Sequence, residues 1–508
     1  MRWMRALALA SLVLATCAPQ PQPVIVDITG RPNIVLILAD DLDRELVGHF
    51  PQLQAELGAT GTTFSDAFVD VSASGPSRLS LLKSQYPHNT TLVGGTGASG
   101  VFERAHQLKL EQSTVATWLH DAGYRTALVG QYLTGYPGVI SPAYVPPGWD
   151  TWVSPVGGTP YAGLNYQLNE NGRLVRHGRN PTDYLEDVLA ERASAFIHSV
   201  IGADGRRVRP FFLYLAPYVP HQPATPAVRY QSLFADVNAP RTSSFNESDV
   251  ADKPAWLNQA RLTEALASSI DPFYRRRLQA TMSLQDLVFR TIAALVDTKQ
   301  LDNTYIFFTS DNGFHIGQHR LAPGKQTAYE EDIRVPLVVR GPGVPAGATL
   351  PHMVLNTDLA PTFGELARAR FGERVDGRSL VPLLGASRPA QEDWRHAILV
   401  EHEPAATAAS ARPTPTRPPA GFEPLDPQDQ AGVTRSIPAY RAIRTQRYAF
   451  VEYDTGEKEL YDLDRDPDEL ESIHASAEPA LLARLSKMLD DLRRCSGRAC
   501  LAAENASP

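Results

Sequence analysis

Five short apolar runs constrain the fold of this 508-residue chain more than any other feature of its sequence. They are rich in β-branched and aromatic residues and occupy residues 33–38, 125–129, 211–215, 305–309 and 336–339. A continuous run of this kind predicts a strand that is buried on both faces. Helical patterns lie between the runs, at residues 114–119, 183–197 and 273–296. The alternation predicts an α/β fold in which helices cover both faces of a large, mostly parallel sheet.

Polar side chains follow four of these runs, at the edge where parallel sheets bind their ligands. The residues carry carboxylate, amide or imidazole groups: Asp40, Asp41, Gln131, His221, Asp311 and Asn312. Each one alone is typical of a turn or a helix cap. Because the carboxyl ends of parallel strands meet at one edge of the sheet, the group as a whole predicts a single cleft.

Four of these residues offer only oxygen ligands, with no sulfur among them: Asp40, Asp41, Asp311 and Asn312. Carboxylate and amide oxygens are the ligands that hard divalent cations prefer in proteins. The cleft is therefore predicted to bind calcium or magnesium in preference to zinc.

The second feature is a stretch of small residues that begins at Ser74, includes Pro76 and Arg78, and continues into a leucine-rich run. The pattern predicts a tight turn and a short buried helix with Ser74 near its N-terminus. Free backbone N–H groups at that end favour an anion. A hydroxyl in this place, with the Arg78 guanidinium one turn away, suits attack on a sulfate or phosphate ester. A serine-capped core helix is the alternative for this stretch taken alone.

The length of the chain limits the number of domains, and its net charge limits the classes of binding partner. With 43% hydrophobic residues, the chain can bury a large core, and we expect two domains, at residues 23–388 and 389–508. The formal net charge is -8 without a basic stripe, which excludes nucleic acid as a partner.

Residues 1–22 have a basic start and a short apolar run, which predict an export signal with a lipid anchor at Cys17 as one outcome. No other apolar run is long enough for a transmembrane span.

The C-terminal part predicts a small separate unit. Residues 404–438 are rich in Ala, Pro, Thr and Gln and predict a mobile surface loop or linker. Beyond them, residues 440–444, 448–451 and 459–463 predict short antiparallel strands, and residues 481–492 an amphipathic helix. Cys495 and Cys500 either close a small disulfide loop or remain two thiols.

Several motifs together resemble the type I sulfatase family of the alkaline phosphatase superfamily. They are the residues around Asp40 and Asp41, the box at 74–78, Pro220 with His221, and the run at 309–313. Their order and spacing match from about residue 31 onward. Finer features at residues 147–149, 183–189, 303–306, 325–330 and 335–343 resemble the N-acetylglucosamine-6-sulfatase branch of that family.

The resemblance implies an alkaline phosphatase-like fold with a small C-terminal domain of four strands and a helix. It implies hydrolysis of sulfate monoesters, such as the 6-O-sulfate of N-acetylglucosamine in a glycan, with calcium as the metal and a formylglycine made at position 74 by a maturation enzyme. The implied roles are divalent-metal ligation by Asp40, Asp41, Asp311 and Asn312, nucleophile at Ser74, its support by Arg78, and sulfate contact by His221 and Lys325. His221 is the candidate for protonating the leaving oxygen, and His88 and His315 are candidates for lining the cleft.

Two positions depart from the family pattern. The family usually has Cys where this chain has Ser74, and Lys where it has Gln131. Loss of one charged contact to the sulfate typically costs about 10²–10³ in rate. Two alternative functions therefore stay open: a phosphate or phosphonate ester hydrolase that uses unmodified Ser74, and a catalytically silent protein that binds glycans.

Overall fold

A computed structural model describes residues 30–94, 100–202, 207–371, 374–404 and 436–506. The predicted export signal and most of the predicted loop at 404–438 lie outside these residues. In the described part, no helix is long and apolar enough to cross a membrane.

The strands up to residue 355 belong to the large unit and are numbered in chain order: β1 (Asn33–Ala39), β2 (Thr62–Phe64), β3 (Ala67–Phe68), β4 (Arg125–Gly130), β5 (Thr151–Gly158), β6 (Tyr166–Glu170), β7 (Arg173–Arg176), β8 (Phe211–Ala216), β9 (Thr304–Ser310), β10 (Leu337–Arg340), β11 (Ala348–Leu350) and β12 (Val354–Leu355). Four more strands follow: β13 (Ala397–His402), β14 (Tyr440–Thr445), β15 (Tyr448–Tyr453) and β16 (Lys458–Asp462). The α-helices are α1 (Arg44–Val47), α2 (Pro51–Leu53), α3 (Ser74–Lys83), α4 (Pro87–Thr90), α5 (Gly100–Gln107), α6 (Val115–Asp121), α7 (Leu185–Ser199), α8 (Glu264–Asp297), α9 (Glu330–Ile333), α10 (Leu359–Leu366), α11 (Pro479–Leu492) and α12 (Arg498–Glu504).

The large sheet has ten strands in the order β11-β2-β10-β9-β1-β8-β4-β5-β6-β7. Its five central strands, from β9 to β5, run parallel. Four of the five predicted apolar runs form the adjacent strands β9, β1, β8 and β4, and the fifth forms β10, which pairs antiparallel to β9. The predicted α/β fold with a mixed, mostly parallel sheet is confirmed.

Strand β1 shows why its sequence is apolar throughout. Ile34 and Leu36 point into a core shared with α3, α6 and α10, whereas Val35 and Ile37 point into a core shared with α7 and α8. Because side chains alternate across a strand, a strand between two helical layers needs apolar residues at every position.

Helix α8 begins earlier than its pattern predicts. The apolar spacing starts at residue 273, directly after Pro272, but the helix begins at Glu264 and continues through the proline. The hydroxyl of Thr263 caps it by accepting a hydrogen bond from the Leu266 N–H. The first two turns are largely exposed, so apolar periodicity gives no sign of them.

The C-terminal unit is a four-stranded antiparallel sheet in the order β13-β14-β15-β16, with α11 packed against it. This confirms the small sheet and helix that the sequence predicted. Cys495, in the turn after α11, forms a disulfide with Cys500 of α12. The backbone oxygen of Cys495 accepts a hydrogen bond from the Asn89 side chain at 3.0 Å, which fixes this turn on α4 of the large unit.

Candidate active site

The register of the central sheet gathers the predicted polar residues. Ala39 of β1 pairs with Ser310 of β9, so Asp40 and Asp311 leave the sheet side by side. Strands β8 and β4 end level with each other in the same way, at Ala216 and Gly130. The residues that follow the four strands therefore line one edge, as the carboxyl-end rule predicts.

Helix α3 brings Ser74 to this edge. Ser74 is its first residue, and residues 74–82 are buried throughout. A Cβ on Gly75 would lie 2.7 Å from Val101 Cγ2 and 3.0 Å from Thr134 Oγ1, so a larger residue here would displace the Val101 side chain. The helix N-terminus is thereby wedged between neighbouring segments, and the Ser74 hydroxyl has a fixed place.

The side chains of Asp40, Asn312 and Lys325 contact the Ser74 hydroxyl. Its oxygen lies 3.2 Å from Asp40 Oδ1 and 3.3 Å from Asn312 Oδ1, and it accepts a hydrogen bond from Lys325 Nζ at 2.9 Å. Because a hydroxyl has one proton, it donates to Asp40 or to Asn312 but not to both at once. Ser74 is 1% exposed, so the group at this position reacts inside the protein and not at its surface.

The four predicted metal ligands lie together. The backbone N–H of Asp41 donates to Asp311 Oδ1 at 3.1 Å, and Asn312 Nδ2 donates to Asp41 Oδ1 at 2.7 Å. All of them are at most 1% exposed. Asp41 has a positive φ of 62°, a conformation that asparagine and aspartate tolerate better than most residues. We call Asp40, Asp41, Asp311 and Asn312 the acidic cluster.

Two buried cations neutralise part of the acidic cluster. Arg78 Nε donates to Asp311 Oδ2 at 2.9 Å, and its Nη2 lies 3.7 Å from Asp40 Oδ1. Lys325, in the loop between β9 and α9, donates to Asp41 Oδ1 at 2.7 Å. Buried charges are tolerated only in such pairs. Three carboxylates against two cations leave the ionised site with one excess negative charge.

Burial and the neighbouring Asp311 raise the pKa of Asp40 well above its usual range, although His221 and Arg78 oppose the rise. Burial alone would lower the pKa of Arg78, but Asp311 and Asp40 outweigh it and raise that pKa above its usual value. A carboxyl that is costly to ionise in this place is stabilised as a carboxylate by an added cation.

The site fits a hard divalent cation. Asp40 and Asp41 carry potential ligand atoms that lie within 4.8 Å of each other. Among the described residues, Asp40 Oδ2 is buried without a hydrogen-bond partner. An oxygen-rich cluster with an excess negative charge and an orphaned carboxylate oxygen is the donor set that calcium or magnesium takes.

His221 borders the acidic cluster on the turn after β8. Its Nε2 lies 3.6 Å from Asp41 Oδ2, and its Nδ1 lies 2.7 Å from the carbonyl oxygen of Gln222. The short contact to a carbonyl assigns a proton to Nδ1. Glu186 of α7 fixes the same turn because its carboxyl accepts the Tyr218 N–H at 3.2 Å.

Gln131 lies at the end of β4, beside the cluster but without a charge. Its Nε2 donates to the hydroxyl of Tyr161 at 3.0 Å. Its Oε1 is buried without a partner among the described residues, as is Ser154 Oγ, and both residues line a cavity of about 10 Å³. Such a cavity holds about one water molecule.

The two remaining predicted histidines have both ring nitrogens engaged elsewhere. His88 lies 2.8 Å from Glu401 Oε2 and 3.0 Å from the Cys495 carbonyl oxygen, at the contact with the C-terminal unit. His315 lies 3.0 Å from both Asp332 carboxylate oxygens and from the Ala322 carbonyl oxygen. A substrate-lining role for either residue stays a prediction.

Two residues of the site were not found from the sequence. Tyr161 follows β5, whose sequence contains Pro155 and two glycines and so lacks a strand pattern. Glu186 lies in the first turn of α7, where an acidic residue is typical of any helix start. Neither position carries a signal that separates it from an ordinary turn or helix residue.

A buried hydroxyl position beside carboxylates and paired cations, at the carboxyl edge of a parallel sheet, defines a hydrolase that acts on esters of acidic oxoanions. A family model described as Sulfatase matches residues 32–369, and the chain belongs to the sulfatase family. The resemblance predicted from the motifs is confirmed. The chain is a sulfuric ester hydrolase, and its family generally uses a divalent metal and a formylglycine.

The comparisons also name similar proteins. Human N-acetylglucosamine-6-sulfatase is 35% identical over 498 aligned residues, which cover 93% of this chain and 86% of that protein. A solved structure described as a complex with its substrate D-glucosamine-2-N,6-O-disulfate has a TM-score of 0.71 at 21% identity, covering 91% of this chain and 98% of the other. A phosphonate monoester hydrolase from Silicibacter pomeroyi has a TM-score of 0.67 at 21% identity, covering 91% and 95%. At these identities the two structures show the fold alone.

Proposed function

We propose that this chain removes the 6-O-sulfate from N-acetylglucosamine residues of a glycan. The name of the human relative supports this substrate, since that protein is similar over nearly the whole chain. The single observation that carries the chemistry is the place of the Ser74 hydroxyl, in hydrogen-bond contact with both Lys325 Nζ and Asp40.

Each residue of the site has a different role in the proposed reaction. Position 74 presents the attacking oxygen, and Arg78 holds Asp311 in place behind it. Lys325 holds its ammonium group between Asp41 and Ser74, where it offsets negative charge on the transferring sulfuryl group. His221 directs Nε2 to the site and protonates the oxygen of the departing sugar.

The proposed site is completed by a divalent metal ion and by a formylglycine at position 74. A calcium ion, or alternatively a magnesium ion, would be held by the acidic cluster of Asp40, Asp41, Asp311 and Asn312. The ion would offset the negative charge of the sulfate. A formylglycine made from Ser74 by a maturation enzyme would supply a hydrated aldehyde whose hydroxyl is the nucleophile. The excess negative charge of the apo cluster would otherwise repel a sulfate ester, which is why the residues need the cation.

Sulfate release tests the function. The purified protein is incubated with N-acetylglucosamine-6-sulfate and, in parallel, with N-acetylglucosamine-6-phosphate, and released anions are measured by ion chromatography. We expect release of sulfate, little release of phosphate, and neither with Ser74→Ala. Faster release of phosphate would favour an ester hydrolase that uses unmodified Ser74. Release of sulfate only after Gln131→Lys would favour a silent glycan-binding protein.

Calcium binding tests the metal site separately from catalysis. Isothermal titration calorimetry of the chelator-treated protein is expected to show one calcium site, which Asp311→Asn weakens because a ligand charge is lost. Asp187→Asn, on the outer face of α7, serves as the matched control and is expected to bind calcium as the wild type does. Equal binding by the Asp311 variant would contradict the assignment.

The remaining assignments concern the chain's ends and its domains. Residues 23–388 would form the catalytic domain and residues 389–508 the small domain, and residues 1–22 would direct export, with lipid attached at Cys17 in one outcome. N-terminal sequencing and intact mass of the mature protein test the export signal. A mature protein that begins at Met1 would contradict it.

A further inference from the structure

Tyr161 lies in the wall of the candidate site but has no role in the function proposed above. It belongs to the turn after β5 and is 9% exposed. Its ring centroid is 4.7 Å from that of His221 and 4.8 Å from that of Tyr218. The ring therefore restricts the space in which the imidazole of His221 can rotate.

The amide of Gln131 fixes the hydroxyl end of Tyr161. Gln131 Nε2 donates to Tyr161 Oη at 3.0 Å, and Gln131 is itself 3% exposed at the end of β4. In the described part of the chain, Gln131 Oε1 has no hydrogen-bond partner. The hydrogen bond to Tyr161 is thus the contact that orients this amide. Because Gln131 directly follows β4, the same hydrogen bond fixes the Tyr161 hydroxyl relative to the central sheet.

His221 is then fixed on two sides. Its Nδ1 lies 2.7 Å from the Gln222 carbonyl oxygen, which sets the angle of the ring, and the Tyr161 ring packs against the imidazole. The remaining nitrogen, Nε2, lies 3.6 Å from Asp41 Oδ2 and faces the acidic cluster. This arrangement holds the ring nitrogen that a departing sugar oxygen would meet.

We propose that Tyr161 is a positioning residue for departure of the leaving group, and that Gln131 acts through it. The inference rests on the proposed function. The oxygen at position 74 forms a new bond to sulfur as the bond from sulfur to the sugar oxygen breaks. The electron pair of the broken bond stays on the sugar oxygen, which takes a proton from His221 Nε2 and leaves as a hydroxyl. Tyr161 keeps His221 in reach of that oxygen. The uncharged Gln131 therefore serves this proton transfer and does not bind the charge of the sulfate.

Two esters with different leaving groups test the role. An alkoxide leaves poorly and needs a proton, whereas p-nitrophenolate leaves without one. Tyr161→Leu removes the ring, and we expect kcat on N-acetylglucosamine-6-sulfate to fall about 30-fold with KM nearly unchanged, while kcat on p-nitrophenyl sulfate stays within about three-fold. Tyr161→Phe keeps the ring and loses only the anchor, so we expect a loss of about three- to ten-fold on the sugar ester alone.

The matched control is Tyr166→Leu. Tyr166 stacks on His177 at 4.9 Å in the outer part of the sheet, so the variant removes the same kind of contact away from Ser74. It is expected to leave both reactions within about two-fold. In the His221→Ala background, Tyr161→Leu should add no further loss on the sugar ester, because residues that act through one another are not additive.

Equal losses on both esters, or an additive loss in the double variant, would overturn the positioning role. An unchanged sugar reaction in both Tyr161 variants would overturn it as well and leave the proposed function intact. A wild-type protein that cleaves neither sulfate ester would overturn the proposed function, and this role with it. Tyr161→Phe decides the question if Tyr161→Leu does not fold.

Discussion

Lys325 is the residue whose charge most directly joins the nucleophile position to the acidic cluster. Its ammonium group bonds both the Ser74 oxygen and Asp41 Oδ1, and it is 3% exposed. In a buried site such a cation is worth far more than in water, because little solvent screens it. The loop that carries Lys325 has no regular structure, so tertiary contacts alone hold the side chain in place.

Replacing Lys325 tests how much its charge contributes to the rate of sulfate hydrolysis. Lys325→Met removes the charge at similar length, and we expect kcat/KM for N-acetylglucosamine-6-sulfate to fall by about 10²-fold or more. Initial-rate measurements over a range of substrate concentrations check this. Lys299→Met, at the surface turn after α8, is the matched control and should retain wild-type rates. A Lys325→Met protein with a normal rate would show that the ammonium group does not act on the transferring group.

The residues of the site differ in how far sequence alone could find them. Asp40, Asp41, Asp311 and Asn312 follow apolar runs, so the rule for parallel sheets predicted their meeting. Lys325 lies 15 residues beyond β9 in an irregular loop, and only the family resemblance pointed to it. Tyr161 could not be found at all, because its place depends on the packing of a turn against His221 and Gln131.

Helix α7 supports the site through one buried carboxyl. Glu186 is 2% exposed and accepts the backbone N–H of Tyr218, in the turn that leads to His221. Burial raises the pKa of Glu186 to about 8, although the backbone hydrogen bonds oppose the rise. The group is therefore protonated in the folded protein at neutral pH.

This pKa makes stability fall as pH rises. Between the ordinary value of 4.5 and about 8, the folded state binds a proton that the unfolded state has lost. Glu186→Gln cannot titrate, so its gain in unfolding free energy over the wild type should grow by a few kcal/mol between pH 5 and pH 8, at about 1.4 kcal/mol per pH unit. Urea denaturation at several pH values measures this gain. A gain that does not depend on pH, or one matched by the exposed Glu191→Gln, would contradict the assignment.

Helices and strands with a clear apolar pattern were predicted from the sequence, whereas those that are defined by their tertiary contacts were not. Strands β9, β1, β8 and β4 follow from apolar runs, and α3 follows from a leucine-rich run with a proline in its first turn. The hairpin of β6 and β7 was missed because β7 is largely exposed and its residues need no apolar pattern. The first two turns of α8 were missed for the same reason, since a cap and a tertiary position define them.

At the scale of the whole molecule, a buried ionic network joins the C-terminal unit to the large unit. Arg395, just before β13, bonds Asp358 at 2.6 and 2.7 Å and Glu504 of α12 at 2.9 Å. Its side chain is fully buried. Asp358 lies at the start of α10 in the large unit, so α12, the last helix of the described residues, is fixed to the core of that unit.

Removing the shared cation tests this coupling. Arg395→Met leaves the buried Asp358 carboxylate without its cation, whereas Glu504 keeps Arg378 at 2.6 Å. We expect a loss of about 3–5 kcal/mol in the free energy of unfolding. Denaturant unfolding followed by tryptophan fluorescence and by circular dichroism measures it. Lys487→Met, which removes an exposed ion pair on α11, should cost about 0.5 kcal/mol or less. A small loss in the Arg395 variant would mean that other contacts hold the two units together.

The chemical state of position 74 is the most direct test of the account as a whole. The protein is purified from its native source, digested, and the peptide that contains Ser74 is analysed by tandem mass spectrometry. We predict a formylglycine at position 74, seen as a residue two hydrogen atoms lighter than serine, in a preparation that releases sulfate. Unmodified serine at position 74 in a preparation that releases sulfate would contradict the account.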